Sequence, residues 1–154
     1  MPLRMVRRIP AGAIIAMIVL LPLLALVGTA VWVHFANDAA AQQLESRVQQ
    51  LPVPAGVEVI DSGWAAQRLS GTGNGMQYAG ALLIRSQLDT AKLETAYADI
   101  SADAQVIATD DPRIERSTLI FSDRHDLEQP DLFMVMLRNE PPGSSILNLD
   151  LRGH

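Results

Sequence analysis

An uncharged and mostly apolar run from Ile9 to Ala36 constrains the fold of this chain more than any other feature. A helix rises about 1.5 Å per residue and a bilayer core is roughly 30 Å thick, so about 20 residues suffice to cross it. Residues 11–33 exceed that length without a single charge. We therefore predict a transmembrane anchor over residues 9–36.

The basic residues before the run predict its orientation. Arg4, Arg7 and Arg8 all precede the apolar residues, and positively charged flanks are retained on the cytoplasmic side of a membrane. We therefore predict a cytoplasmic basic tail over residues 1–8. The residues after the run are then expected outside the cytoplasm.

Residues within the run refine the predicted anchor. Pro22 lies near the middle and removes one backbone donor, which favours a kink that membrane helices tolerate. Trp32 and Phe35 lie at the far end, where amphipathic rings favour the membrane interface. With Arg7 and Arg8, they form the predicted set of anchor residues.

A cleaved secretory signal is the main alternative to a permanent anchor. Such signals have apolar cores of about 7–15 residues followed by small residues at the cleavage site. The present run is longer, but Gly28-Thr29-Ala30 and Ala39-Ala40-Ala41 offer small residues to a peptidase. Cleavage would leave a secreted soluble binding protein that begins at Val31 or Gln42.

Charge and cysteine content exclude several functions for the part after the run. Residues 37–154 carry nine basic and 17 acidic residues, a net charge of −8. Nucleic acids are recognised by clustered positive charge, so we expect no nucleic-acid partner. The chain has no cysteine, which excludes disulfides, thiolate nucleophiles and zinc–thiolate sites.

Residues 37–52 predict a helical stalk or linker, with Asn37 or Asp38 as its N-cap. Leu44, Val48 and Leu51 recur at helical spacing and form a narrow apolar stripe. The stripe is too short for a stable coiled coil between two copies, so we expect it to pack on the domain that follows.

Residues 53–154 predict an extracytoplasmic α+β domain with a mainly antiparallel sheet and one helix on a face. The helix is expected over residues 90–99, with Asp89 as its N-cap. The expected strands are residues 57–60, 65–70, 76–85, 105–108, 116–122, 132–138 and 145–151.

The glycine cluster Gly71-Thr72-Gly73-Asn74-Gly75 predicts a hairpin turn. Phosphate-binding loops have a similar composition, but they open a helix and here a strand pattern follows. Asn74 and Gly75 both tolerate positive φ, as tight hairpin turns require.

The histidines offer an enzymatic alternative. A cell-envelope hydrolase could use His125 or His154 with nearby aspartates such as Asp123, Asp126 or Asp150. This alternative expects the two histidines and at least one aspartate to line one pocket. Their spacing matches no metal-ligand or catalytic motif. We therefore predict neither a metal nor a cofactor and do not expect an enzyme.

Charged residues near the end of the sequence predict a surface for a partner. Asp150, Arg152 and His154 alternate with apolar residues, and Arg124 and His125 lie in a polar loop. These five residues form the hypothetical partner-binding set. Charges that prevent edge-to-edge pairing of an exposed strand are the alternative interpretation for the first three.

Three stretches carry a resemblance to a group of proteins: residues 73–78, residues 80–86 before a helix, and residues 149–154. They resemble small single-span membrane-anchored proteins of Gram-positive bacteria. That resemblance implies one anchor, one compact outer domain and a bacterial cell envelope, and it implies no activity.

These features together predict a signal-anchored bitopic membrane protein. Its extracytoplasmic domain is expected to bind a protein partner in the envelope. One form of this hypothesis is an accessory subunit of a larger membrane complex.

Overall fold

The computed structural model describes residues 11–69, 75–111 and 116–154. Arg4, Arg7 and Arg8 and the tip of the glycine-rich turn therefore lie outside the described residues. The chain divides into two units, Met1–Trp32 and Val33–His154, and each is described by itself.

The first unit contains the apolar part of helix α1, which extends from Ala11 to Gln49 and continues through Pro22. Its large apolar side chains between Met17 and Trp32 are exposed. By length and composition this helix can cross a membrane, and a signal sequence would have the same character. Because α1 continues unbroken past Asp38, the prediction that Asn37 or Asp38 caps a separate helix is wrong.

The second unit contains a four-stranded antiparallel sheet with the spatial order β1-β2-β4-β3. A helix, α2, connects β2 to β3. The predicted α+β class, with a mainly antiparallel sheet, is confirmed. The elements are β1 (Val57–Gln67), β2 (Gln77–Ser86), α2 (Thr90–Ile100), β3 (Gln105–Ala108) and β4 (Leu132–Asn139).

Strands β1 and β2 form a hairpin that closes with Gln67 opposite Gln77. The predicted antiparallel pairing of the two strands is confirmed, but Gly75 does not have positive φ, so it does not form the predicted tight turn with Asn74. Residues 70–74 lie outside the described residues. The two short strands predicted over residues 57–70 are one strand, interrupted by an irregularity between Val59 and Asp61.

The second half of α1 covers one face of the sheet. Ala41, Leu44 and Val48 are buried there, as the predicted apolar stripe required. Gly80 on β2 lies against α1 so closely that a Cβ atom would overlap the backbone of Leu44 and Glu45. Residues 37–49 therefore pack within the compact unit, which begins at Val33.

Helix α2 packs on the same face and begins as predicted. The Asp89 side chain accepts a hydrogen bond from the Lys92 backbone N–H at 2.9 Å, which satisfies a donor that the first helical turn leaves free. Leu93 and Tyr97 are its buried residues.

The opposite face of the sheet is covered by a 3-10 helix, Ser117–Ile120, and by Phe121. The strand predicted over residues 116–122 is therefore wrong. Ser117, Ile120 and Phe121 are the buried residues, and their spacing of three and four matches a helical turn rather than a strand.

The strand predicted over residues 145–151 is also wrong. Two short 3-10 helices, Ile146–Leu149 and Leu151–Gly153, occupy this region, which we call the clasp segment (residues 146–153). Ser145 and Asp150 cap them by accepting backbone hydrogen bonds from Leu147 and Arg152. These local bonds compete with strand pairing.

Candidate functional site

A buried polar cluster joins the clasp segment to α1. Asn37 is fully buried and donates from Nδ2 to the Leu147 carbonyl oxygen at 3.1 Å and to Asp150 Oδ2 at 3.0 Å. The Tyr78 hydroxyl donates to Asn37 Oδ1 at 2.7 Å. Both the nitrogen and the oxygen of the Asn37 amide therefore have hydrogen-bond partners, as a buried amide requires.

Arg152 adds charge pairing to the same cluster. Its Nη2 donates to Asp150 Oδ2 at 2.7 Å, and its Nη1 donates to Asp38 Oδ1 at 2.6 Å. A weaker contact of 3.3 Å reaches the His34 carbonyl oxygen. The two ring nitrogens of His34 lie 3.6 Å from Asp38 and 3.8 Å from Asp150. One guanidinium therefore bridges two carboxylates from distant parts of the sequence.

These contacts determine the protonation of the cluster. Burial favours a raised pKa for Asp150, but hydrogen bonds from Arg152 and Asn37 outweigh it and hold the pKa well below 3.8. The pKa of Arg152 is raised, mainly by its hydrogen bond with Asp150. Burial, and secondarily the Asp150 charge, raises the pKa of Tyr78. The cluster therefore contains an ionised Asp150–Arg152 pair.

Backbone hydrogen bonds join the clasp segment to the turn end of the β1–β2 hairpin. The Arg68 N–H donates to the Arg152 carbonyl oxygen at 2.9 Å, and the Gly75 N–H donates to that of Gly153 at 2.8 Å. A Cβ atom on Gly153 would lie only 2.9 Å from the Met76 nitrogen. The clasp segment thus holds α1 and the hairpin together.

A second polar cluster surrounds Asp61 on β1. Its Oδ2 lies 2.6 Å from Arg124 Nη1 and 2.8 Å from His125 Nε2. Burial works against the charged form, but the hydrogen bonds from His125 and the Ser62 backbone, with the Arg124 charge, lower the pKa of Asp61. The Arg124 guanidinium also lies over the Phe121 ring, 5.6 Å from its centroid.

A groove of about 340 Å³ lies between these two clusters. Side chains of consecutive strand residues alternate between the two faces of a sheet. Since the lining includes four consecutive residues of β1, the groove follows the outer edge of that strand. Its lining is Trp64, Ala65, Ala66, Gln67, Leu119, Ile120, Asp123, Arg124 and Arg152.

The structure brings together some of the predicted partner-binding residues. Arg124 and Arg152 line the groove, while Asp150 is turned inward and is almost fully buried. His154 lies outside both clusters, and its Nε2 is 3.1 Å from the Asn148 carbonyl oxygen. Of the five residues, Arg124 and Arg152 are therefore the ones that line this groove.

Among the described residues, the structure does not bring the two histidines of the hydrolase alternative into one pocket, although His125 and Asp126 line a common groove. His125 is engaged with Asp61, whereas His154 contacts a backbone carbonyl in a different region. Across residues 11–69, 75–111 and 116–154, no group of three or more His, Asp or Glu side chains is placed to hold a metal ion.

Sequence reasoning missed the residues that organise both clusters. From the sequence, Asn37 is predicted as a helix cap, Asp61 and Trp64 fall between two predicted strands, and Tyr78 falls in a strand without a role. For Asn37, Tyr78 and Asp61 the signal is weak because each is a single polar or aromatic residue whose side-chain partner lies 41 or more positions away.

No protein-family model, curated protein or solved structure matches this chain.

Proposed function

We propose that this chain is a bitopic membrane protein whose domain lies outside the cytoplasm and binds an envelope protein. One observation carries the proposal. Helix α1 is exposed and apolar in its first part, and its second part is buried in the core of the domain. A single helix therefore serves as anchor and as core element. The resemblance to anchored Gram-positive proteins is consistent with this arrangement.

The packing of α1 favours retention of the anchor. A chain cut before Gln42 would lack Asn37, Asp38 and Ala41, all of which are buried or paired in the domain. Asp150 would then keep only Arg152 as a side-chain partner. A cut before Val31 would leave these contacts in place, so that alternative must be tested on the native protein.

The proposed orientation is tested by labelling single cysteines, since the chain has none of its own. In intact cells, a membrane-impermeant maleimide is expected to label Val53→Cys, because Val53 is exposed. Leu3→Cys in the basic tail is expected to react only after lysis. The opposite labelling pattern would show that the topology is inverted. Absence of both variants from the membrane fraction would show that the chain is not anchored.

The groove beside β1 is the proposed docking site for the partner. Among the described residues β1 pairs only with β2, so its outer backbone groups face no other strand. An extended peptide can add to such an edge through main-chain hydrogen bonds, with side-chain pockets supplying specificity. Exposed Leu119 and the Arg124 guanidinium would contact alternate residues of that peptide.

Site-specific photo-cross-linking tests the docking site. A benzoylphenylalanine at Leu119 is expected to give one discrete cross-linked species in native membranes. The same probe at Val53 is the matched control, because both side chains are apolar and about half exposed. Identical patterns at the two positions, or recovery of the chain only as a lone monomer, would count against docking at the groove.

A further inference from the structure

We propose that the clasp segment rests on the membrane surface, with Ile146, Leu149 and Leu151 in contact with the lipid interface. This inference builds on the proposed function, because it requires the first part of α1 to span a bilayer. It assigns the clasp segment an occupant that is neither the partner protein nor a second copy.

The clasp segment buries its charge and exposes its apolar side chains. Ile146, Leu149 and Leu151 are 47 %, 67 % and 85 % exposed, whereas Asp150 between them is 8 % exposed. Three exposed aliphatic residues within six positions form an apolar surface that water does not favour. The polar cluster holds that surface outward, because Asp150 and Arg152 are bound to α1.

The attachment points of the clasp segment place it close to the end of the apolar run. Its hydrogen bonds reach the His34 carbonyl oxygen, Asn37 and Asp38. These residues follow Trp32, the last residue of the apolar unit, by two to six positions. A helical chain of that length spans about 3–9 Å. The headgroup region on each side of a bilayer is about 5–8 Å thick, so residues 34–38, to which the clasp segment is bound, would lie within it if the bilayer core ends near Trp32.

The chemistry of the region fits a neutral interface. The Arg152 guanidinium is paired with Asp150 and Asp38, so it offers little unpaired charge to an anionic lipid. Exposed Phe35 lies on α1 among the same attachment points, and aromatic rings favour this depth. The contact should therefore be apolar, and phosphatidylcholine without anionic lipid should suffice.

Collision accessibility of spin labels in phosphatidylcholine vesicles tests the inference on the full chain. Leu151→Cys is labelled, with Val53→Cys as the aqueous control and Val27→Cys as the reporter of the membrane span; all three side chains are exposed. Oxygen partitions into lipid and a nickel chelate into water. The oxygen-to-nickel ratio at Leu151 is expected to exceed that at Val53 severalfold and to fall below that at Val27.

The controls separate the two proposals. If Leu151 matches Val53 while Val27 lies in lipid, the anchor stands and the surface contact is overturned. If Val27 is as accessible to nickel as Val53, the anchor itself fails and the surface contact fails with it. If Leu151 is shielded from both reagents and shows dipolar broadening between labels, a second copy covers the segment and the lipid contact is overturned.

Discussion

Asn37 on α1 donates a hydrogen bond of 3.0 Å to the Asp150 carboxylate, although the two residues are 113 positions apart in the sequence. The amide is fully buried and the carboxylate nearly so. The bond therefore joins the helix that carries the apolar run to the segment that closes the hairpin.

Replacing Asn37 with leucine should destabilise the domain by about 3 kcal/mol. The substitution removes the hydrogen bond that Asp150 accepts from Asn37 and the one that the Tyr78 hydroxyl donates to it, and each such loss costs about 1–3 kcal/mol. Denaturant unfolding of the full chain in detergent micelles, followed by tryptophan fluorescence, measures the change. Asn139→Leu is the exposed control and should change the free energy of unfolding by less than about 0.5 kcal/mol. Equal effects at the two positions would contradict the role of Asn37.

Acid should weaken the cluster through Asp150. The pKa of this carboxyl is lower in the folded chain than its ordinary 3.8. Its contribution to stability is therefore complete above that value and is lost as the pH falls below it towards the folded-state pKa. The difference in unfolding free energy between the native chain and Asp150→Asn should be constant from about pH 5 to 7. It should shrink below 3.8, and a difference that grew on acidification would refute the assignment.

The same substitution at two buried tyrosines should have opposite effects. Tyr78 donates to Asn37, so Tyr78→Phe should cost about 1–2 kcal/mol by leaving an acceptor unpaired. Within the described residues, the Tyr97 hydroxyl is buried and makes no hydrogen bond. Tyr97→Phe should therefore be neutral or stabilise by up to about 1 kcal/mol. The unfolding midpoints of the two variants, measured side by side, test this prediction. A greater loss of stability in Tyr97→Phe than in Tyr78→Phe would contradict it.

Adding one methyl group at Gly80 should loosen α1 from the sheet. The new Cβ would overlap helix backbone, which cannot move aside as a flexible side chain can. Gly80→Ala should therefore cost at least about 2 kcal/mol. Gly143→Ala is the matched control, because no atom lies within 4 Å of its new Cβ. Thermal unfolding monitored by circular dichroism compares the two, and an undisturbed Gly80→Ala would show that α1 is not seated on β2.

Sequence periodicity and capping residues were sufficient to predict those elements in which the apolar residues are also the buried ones. Leu44 and Val48 predicted the face of α1 that packs on the sheet, and Asp89 predicted the start of α2. The glycine cluster separates β1 from β2, which pair antiparallel as predicted. In each case a local rule and the tertiary structure agree, as they do in foldable sequences.

The same rules gave a wrong prediction for the clasp segment, because three of its apolar residues are exposed and its aspartate is buried. Alternation of Leu149, Asp150 and Leu151 predicts a strand with leucines inside, but the aspartate is the buried residue. Contacts with α1 explain why the aspartate is buried: Asn37 donates a hydrogen bond to Asp150, and Arg152 donates one to Asp38. Those partners are more than 100 positions away, where periodicity carries no information. The capping residues Ser145 and Asp150 were the local sign of helical turns.

The central claim is that one helix is both a retained membrane anchor and a core element of the domain. The most direct test is the intact mass of the protein recovered from alkali-washed native membranes, combined with N-terminal sequencing. We expect the chain in the membrane pellet to retain residues 9–36. A soluble product that begins at Val31 or Gln42 would contradict the claim.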